Sequence, residues 1–293
     1  MALAVPNFSE GREEAAIAAI AAAFAPAAVL DRHTDPIHNR TVLTLSAAPR
    51  HLVGALLDGA RVCVERIDIG AQHGEHPRIG ALDVCPVVWL GEEARPLARE
   101  LALEAALAIG DLGVPVFLYG ELASDPRRAE RAFFRRGGSA VLAERMRSGE
   151  LRADFGPAEP HPTAGATLVT ARPPLAAFNV ELDTAETAVA VAVAAGLRES
   201  GGGLGGVRAI GVDLGDRAQV STNVHDPIAV PLGAVIERVR LLAAEHGARP
   251  VAAEVVGLVP AGSLRKLPTD VPLRGFDPAR HVLENRLGEP ADR

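Results

Sequence analysis

Apolar residues along this chain follow two spacings, and each spacing predicts a different kind of secondary structure. Apolar positions at helical spacing predict helices at residues 13–24, 49–65, 91–107, 184–199 and 231–246. Short runs rich in β-branched and aliphatic residues predict strands at 3–5, 28–32, 41–45, 84–90, 114–119, 165–170, 175–182, 207–213, 219–223 and 252–258. Because some strands follow one another directly and others are separated by a helix, the pattern predicts an α/β fold with mixed sheets.

A proline-rich stretch at residues 154–164 interrupts both spacings and predicts either a linker or a ligand-binding loop. The second half of the chain then repeats the style of the first half. With 293 residues, the chain is long enough for two hydrophobic cores. We therefore expect two α/β subdomains in tandem, at residues 1–173 and 174–293.

A run of arginines between residues 125 and 150 allows two interpretations. A solvated helical face with glutamate partners is favoured over a strip that binds anions, because runs of charge are usually solvated. The run contains Arg127, Arg128, Arg131, Arg135, Arg136, Arg145 and Arg147.

Composition excludes several classes of protein. The content of 48% hydrophobic and 23% charged residues is typical of a soluble globular protein. The net charge of -7 argues against a nucleic-acid partner, since no basic excess is available to neutralise phosphates. Two cysteines make no disulfide framework, and the N-terminus lacks the pattern of a secretory signal, so we expect a cytoplasmic protein.

The densest chemistry lies in the loop Gln72–Pro86, which carries two histidines, a glutamate, an arginine and an aspartate between glycines and prolines. His73, Glu75 and His76 have the residue types of a metal site, but Pro77 disfavours the helix in which this spacing brings ligands together. The loop is then either a solvated turn or an acid–base site in which one imidazole moves a proton. The residues alone leave these two interpretations open.

Polar residues inside apolar segments mark further candidates. Asn179 lies within a predicted strand, where an amide must be satisfied or must face a ligand. Gln219, Ser221 and Asn223 alternate along another strand and should share one face. The glycines of residues 201–206 follow a helix and precede a strand, the reverse of the dinucleotide-binding arrangement, so we reject a Rossmann site there.

The loop from His73 to Pro86 resembles the signature of the formiminotransferases, the glutamate formimidoyltransferases of histidine breakdown. Further matching segments follow in the order of that family and cover most of the chain: Val5–Arg12, His38–Val42, Asp154–Pro157, Gly165–Thr167, Ala177–Val180, Ala218–Asn223 and Val256–Pro260.

The resemblance implies two α/β subdomains with a ligand cleft or tunnel between them, assembled as homodimers. It implies transfer of the formimino group of N-formimino-L-glutamate to N5 of tetrahydrofolate, with tetrahydrofolate as co-substrate and no metal. By match to the family motif, His76 would take a proton from N5 and return it to the departing amine. The expected partners are these small molecules, with no nucleic acid and no membrane.

The resemblance also implies where ligands bind. Arg40 and Arg78 are candidates for the substrate carboxylates, because a guanidinium group matches a carboxylate in a bidentate way. Glu254 is the candidate for pairing with the formiminium cation. The other substrate candidates are Asn39, His33, Asn179, Gln219 and Asn223. The folate segment corresponds to residues 156–165, with candidates Gly156, Pro157, His161, Thr163, Ala164 and Gly165.

Two departures from the family pattern are present, and one of them is the run Val87–Leu90 in place of a more aromatic, proline-containing run. His33 stands where an acidic residue is expected in mammalian members, which leaves the identity of the donor open. A transferase of the same fold that acts on 5-formyltetrahydrofolate, or on another formimino or formyl donor, is therefore the first alternative. The others are a noncatalytic folate-binding protein and a zinc hydrolase with His73 and His76 as ligands.

Overall fold

Residues 1–74 and 77–288 are described by the computed structural model, and they form two units, Met1–Pro173 and Pro174–Arg293. No helix among these residues is long and apolar enough to cross a membrane. Both units combine helices with a sheet, which confirms the predicted α/β class.

The N-terminal unit contains both strands and helices, interspersed along the chain. In chain order they are β1 Ala2–Ala4, β2 Asn7–Phe8, α1 Glu14–Ala23, β3 Ala28–Asp35, β4 Arg40–Ala47, α2 Pro49–Arg66, β5 Leu82–Val88, α3 Arg95–Gly110, β6 Val116–Leu118, α4 Arg131–Arg135, α5 Gly138–Arg147 and β7 Thr167–Arg172.

The N-terminal sheet is mixed, as predicted. β1 and β2 both pair with β4 and β5, so together they act as one strand interrupted at Val5–Pro6. β3 pairs antiparallel with β4, whereas β7 runs parallel to both β5 and β6. The strands β5 and β6 are buried along their whole length, which is typical of parallel pairing with both faces covered.

Helices pack on both faces of this sheet. Residues of α1, α2 and α3 form the larger core on one face, with Phe24 and Leu56 among its fully buried members. Phe117 of β6, Phe134 of α4 and Met146 of α5 belong to a smaller core on the other face.

The C-terminal unit begins with β8 Ala176–Leu182. It continues with α6 Thr187–Leu197, β9 Val207–Asp213, β10 Ala218–Val224, α7 Leu232–Ala244, β11 Pro250–Val256, α8 Pro278–His281 and α9 Leu283–Gly288. The sheet order is β11-β8-β10-β9, and every pairing within it is antiparallel. The prediction of a mixed sheet was therefore wrong for this unit, because a period-2 pattern does not specify strand direction. Alternate residues of the sheet form the core with α6 and α7, which leaves the opposite face polar.

The stretch at residues 154–164 belongs to the N-terminal unit and does not link the two units. The backbone N–H of Asp154 donates to Val116 O over 2.8 Å, and Val116 N donates to Phe155 O over 2.9 Å. The side chain of Asp154 accepts from Leu118 N, which fixes this end of the stretch to β6.

The arginine run is a solvated face only in part: Arg127, Arg136 and Arg147 are exposed, and Arg147 pairs with Glu144, whereas other members of the run are partly or fully buried. Arg145 is 5% exposed and donates to Phe133 O, and its guanidinium carbon lies 4.5 Å from the centre of the Phe133 ring. Arg128 pairs with Asp154, and Arg135 pairs with Asp83. The pattern failed because two glycines with positive φ separate α4 from α5, so the run never forms one continuous helix.

Two glycines of α2 offer a matched test of packing. A Cβ at Gly59 would overlap the ring of Phe24, whereas a Cβ at Gly54 would meet nothing within 4 Å. Gly59→Ala should therefore lower the free energy of unfolding by about 1–3 kcal/mol, because the core is overpacked. Gly54→Ala should raise it by about 0.5–1 kcal/mol, since alanine is the better helix former. Urea unfolding of both variants checks the pair, and equal changes would contradict this packing.

Candidate functional site

Asn39, in the turn between β3 and β4, joins three segments that are distant in sequence. Its side chain is 1% exposed, and its φ of 47° lies in the left-handed region that asparagine tolerates better than most residues. Asn39 Oδ1 accepts from Gly11 N over 2.8 Å. Asn39 Nδ2 donates to His73 O over 3.1 Å and to Gln72 Oε1. The turn therefore holds both the loop before α1 and the start of the loop that follows α2 and contains His73 and His76, which we call the histidine loop.

Glu10 connects the same segments from the other side. Glu10 Oε1 accepts from Arg12 N and Glu13 N, just before α1, while Oε2 accepts from Gln72 Nε2 over 2.9 Å. Burial raises the pKa of Glu10, but these hydrogen bonds lower it by a larger amount. The net shift of the pKa is therefore downward. The carboxylate thus remains ionised and fixes the backbone just before α1.

The far end of the histidine loop is anchored to the same turn. Arg78 donates to His38 O over 3.1 Å and to Asn39 O over 3.3 Å. Asp83 Oδ1 accepts from Ile79 N over 2.7 Å. Segments 72–74 and 77–79 are both tied down, and the predicted catalytic residue His76 lies outside the described residues, as does Glu75.

His38 and Asp35 form a buried pair in this turn. His38 Nδ1 contacts Asp35 Oδ2, and Asp35 Oδ1 accepts from the backbone N–H groups of Ile37 and His38 at 2.9 Å. Burial raises the pKa of Asp35, but its hydrogen bonds from the ring and backbone of His38 lower it more, to about 2.

Arg40 and His33 lie on the same face of the β3–β4 hairpin. Arg40 stands opposite Asp35, and His33 stands opposite Val42, two residues along the strand. Burial lowers the pKa of Arg40 to about 10, with a further contribution from the positive charge of Arg135. Arg40 nevertheless remains charged at neutral pH.

The proposed folate segment lies beside the histidine loop. Ala81 N donates to Ala164 O, and Ile69 N donates to Thr163 O, both over 2.9 Å. Gly165 has a φ of 67° and bridges to Gly80, and a Cβ at either glycine would collide with a backbone carbonyl.

His161 closes this segment into a tight turn. The backbone N–H of Ala164 donates to His161 Nδ1 over 3.0 Å, and that of Thr163 donates over 3.3 Å. Because Nδ1 accepts, the neutral ring carries its proton on Nε2. Gly156 and Pro157 are exposed at the start of the segment.

Candidates in the C-terminal unit share the polar face of its sheet. Asn179 faces both Ser221 and Glu254 in the strand register, and its Nδ2 donates to Glu254 Oε2 over 3.4 Å. Gln219 is 3% exposed, and within the described residues its Oε1 has no hydrogen-bond partner. Asn223 is partly buried on the same face. The alternation predicted from sequence is therefore present.

Among residues 1–74 and 77–288, no three His, Cys, Asp or Glu side chains are grouped as they would be around a metal ion.

Comparison with known proteins adds to this geometry. A model of the formiminotransferase domain, N-terminal subdomain, matches residues 1–172, and a model of the formiminotransferase domain matches residues 177–267. The chain belongs to the formiminotransferase family. The motif resemblance found in the sequence is thereby confirmed, and so is membership of a transferase family.

Individual relatives cover nearly the whole chain. The glutamate formimidoyltransferase of Streptococcus pyogenes serotype M1 is 37% identical over 290 residues, covering 97% of each chain. That of Thermoplasma acidophilum is 36% identical over 297 residues, covering 98% of this chain and 97% of its own. The formimidoyltransferase-cyclodeaminase of Sus scrofa is 40% identical over 277 residues, which are 89% of this chain and 50% of the pig protein.

Sequence reasoning missed two residues that hold candidate residues in place, one in each unit. Gln72 was quoted only as the first letter of the loop, yet its amide bonds to both Asn39 and Glu10. Glu181 pairs with Arg217 and Arg274 at 3.0 and 2.8 Å. Strand alternation carries a signal for Glu181, since it lies two residues from Asn179 on the same face.

Two substitutions at Asn39 separate the stability that comes from its side-chain hydrogen bonds from the stability that depends on its backbone conformation. Asn39→Gly keeps the left-handed turn but leaves Gly11 N–H buried and unpaired, so the free energy of unfolding should fall by about 1–3 kcal/mol. Asn39→Ala adds the steric cost of a Cβ at positive φ and should lose about 1 kcal/mol more. Urea unfolding measures both values. Equal stability of the wild type and Asn39→Gly would show that the amide anchors nothing.

Acid stability tests the Asp35–His38 pair. A carboxyl group whose pKa is lower in the folded state stabilises the fold above its unfolded pKa, and that contribution is lost as pH falls from about 4 towards 2. Asp35→Asn should remove about 1–2 kcal/mol of this pH dependence, after allowance for partial solvent screening. Unfolding free energies measured across this range check it, with the exposed Asp58→Asn as control. Parallel curves for Asp35→Asn and the wild type would contradict the assignment.

Proposed function

We propose that this protein is a glutamate formimidoyltransferase that moves the formimino group of N-formimino-L-glutamate to N5 of tetrahydrofolate. The observation that carries the proposal is the near full-length similarity to two proteins of that name, from Streptococcus pyogenes and Thermoplasma acidophilum. The family models that match both halves of the chain support it. Three further expectations accompany the proposal: a cytoplasmic homodimer, a role in histidine degradation and no requirement for a metal.

In this reaction the N5 amine attacks the amidinium carbon of the donor, and the bond from that carbon to the glutamate nitrogen then breaks. The attacking amine loses one proton and the departing amine gains one. A single imidazole between them can serve as base and then as acid, and we assign this role to His76. The anchoring of segments 72–74 and 77–79 supports the assignment, because a catalytic loop needs fixed flanks.

The donor carboxylates are assigned to Arg40 and Arg78. Arg40 supports this role because its Nε is buried without a hydrogen-bond partner among the described residues. Arg78 spends two N–H groups on the 38–40 turn, so it has three left for a ligand. Asn39 spends its amide on Gly11, Gln72 and His73, so we now assign it an anchoring role instead of direct contact with substrate.

Tetrahydrofolate binding is assigned to the segment from Gly156 to Gly165, with Pro157, His161, Thr163 and Ala164 between them. Its support is the close approach of this segment to the histidine loop at Gly80–Gly165. Where side chains are absent, the backbone can come close to a flat ring. The tautomer of His161 also leaves an Nε2–H that is able to donate to a ligand.

The polar face of the C-terminal sheet supplies the remaining assignments. We assign Glu254 to the formiminium cation and Asn179, Gln219 and Asn223 to polar groups of the substrates. The support is chemical, since the unsatisfied Gln219 Oε1 is a buried acceptor that a ligand N–H would pair. His33 remains the candidate that distinguishes this donor from other formimino or formyl donors.

Replacement of His76 tests the function. In the presence of formiminoglutamate and tetrahydrofolate, 5-formiminotetrahydrofolate is followed after acid conversion to the methenyl form. His76→Ala should lower kcat by about 100- to 10,000-fold, because the proton transfers lose their catalyst. His51→Ala, an exposed histidine of α2, should leave the rate unchanged.

Each alternative has a distinct outcome in the same assay. Turnover abolished by a chelator would favour a zinc enzyme, and tight folate binding without turnover would favour a binding protein. Turnover with 5-formyltetrahydrofolate but not with formiminoglutamate would favour the same-fold alternative, which the comparisons do not favour. Full activity of His76→Ala would remove the proposed mechanism.

A further inference from the structure

The sheet edges of the N-terminal unit are protected against pairing with further strands. Among the described residues, β6 and β3 are the edge strands of this sheet. The edge of β6 is covered at Val116, which exchanges backbone hydrogen bonds with Phe155. β3 has a bulge between Val29 and Asp31 and carries charged side chains, among them Asp31 and Arg32. Native proteins use covers, bulges and charges in this way because an open edge pairs readily with another strand.

The C-terminal sheet has one covered edge and one open edge. At the covered edge, Ala253 N of β11 donates to Pro272 O over 2.9 Å, and Arg274 N donates to Ala253 O over 2.7 Å. At the other edge, β9 pairs with β10 alone among the described residues. The central residues of β9, 209–212, include neither a charge nor a proline, and the register with β10 runs without a bulge. Within the described part of the chain, β9 therefore lacks the features that protect the other edges.

Helix α6 lies on β9 and adds apolar surface beside the open edge. A Cβ on Gly211 of β9 would collide with Val191 N of α6, so the strand and the helix touch there. A Cβ on Gly196 would instead meet the side chain of Leu242 on α7. Because Val191 and Gly196 are five residues apart, they project from different sides of the helix, and Val191 is turned away from α7.

Apolar side chains are exposed on both faces of the sheet at this edge. Val191 is 52% exposed on the face that α6 covers. Ile210 of β9 is 39% exposed on the opposite face, where it stands beside Ser221 of β10. A strand added to β9, together with its own helix, would remove both side chains from water, which is favourable.

Charges at the two ends of this surface are opposite in sign. At one end, α6 finishes at the exposed Arg198, and Arg208 of β9 pairs with Glu199 over 2.5 Å, so this end is positive through Arg198. At the other end, α6 begins at the exposed Glu186 and β9 ends at the exposed Asp213. When two copies of the surface meet about a two-fold axis, each positive end faces a negative end. The charges therefore favour a second copy of this chain as the occupant.

We propose that β9 and α6 form the interface of a homodimer, in which β9 pairs antiparallel with β9 of a second copy. All pairings within this sheet are antiparallel, so the added strand continues its pattern. β9 gains backbone hydrogen bonds along its open side, and Val191 and Ile210 become buried. The contact closes after two copies because it uses the open edge of both. The proposal names the surface of the expected homodimer and does not depend on the reaction.

Analytical ultracentrifugation of the full chain measures the association. At about 10 µM the wild type should have twice the mass of one chain. Val191→Glu should raise the dimer dissociation constant at least about tenfold, because two carboxylates per dimer are then buried without partners. Leu107→Glu on α3 is the matched control, with the same 52% exposure in the wild type, and should dimerise normally. A monomeric wild type, or equal dissociation constants for the wild type and Val191→Glu, would overturn the proposal.

Charge reversal tests the antiparallel arrangement. Arg198→Glu places two glutamates near each other across the interface and should raise the dissociation constant at least about threefold at low salt. The double variant Glu186→Arg/Arg198→Glu restores opposite charges, so its dissociation constant should return to within about twofold of the wild type. An unchanged constant for Arg198→Glu, or weaker association of the double variant than of the single one, would overturn the arrangement.

Hydrogen exchange separates strand pairing from a contact made by helices alone. In the dimer, amides of residues 208–213 that point to the open side of β9 should exchange at least about tenfold more slowly than in the chain diluted to monomers. Amides of β11 serve as the control and should not change, because its edge is covered within one chain. A dimer without slower exchange in β9 would overturn the proposal. A chain that dimerises through β9 but transfers no formimino group would retain the interface and reject the proposed function.

Discussion

The hydrogen bonds of one buried amide hold the N-terminal site together. Asn39 lies in a left-handed turn, where its side chain reaches the loop before α1 on one side and the histidine loop on the other. Asparagine combines tolerance of this conformation with a donor and an acceptor on one short side chain. The carbonyl groups of the same turn accept from Arg78, so both flanks of the histidine loop are hydrogen-bonded to one turn.

Buried carboxylates and arginines near this turn have different roles. Glu10 and Asp83 are buried, and each spends its oxygens on backbone N–H groups and on one neighbouring side chain. Asp83 pairs with Arg135, yet the Nε atoms of Arg40 and Arg135 stay buried without a hydrogen-bond partner among the described residues. The same unit thereby combines anchored loop flanks with buried guanidinium groups that attract anions, although the whole chain carries a net charge of -7.

Much of this architecture was predictable from sequence, for identifiable reasons. Helical periodicity located α2 and α7 within two residues of their observed ends, because both have one continuous buried face. Family membership followed from motifs spread over most of the chain. Strand alternation also predicted the shared face of Gln219 and Asn223.

Other features depend on contacts that no local pattern carries. Strand direction in the second sheet is set by which strands meet, so its antiparallel order was missed. The inward turn of Arg128, Arg135 and Arg145 depends on the break between α4 and α5 and on aromatic rings that pack from other elements. Gln72 stands beside the histidines but carries no pattern of its own, and its role exists only because the 38–40 turn folds beside it.

The central claim is that the Asn39 amide positions a loop for acid–base catalysis. Its most direct test is kcat for formimino transfer by Asn39→Gly, at a temperature where circular dichroism shows the variant folded. Displacement of the loop by about 1 Å should lower kcat by tenfold or more. A folded variant with the kcat of the wild type would contradict the account.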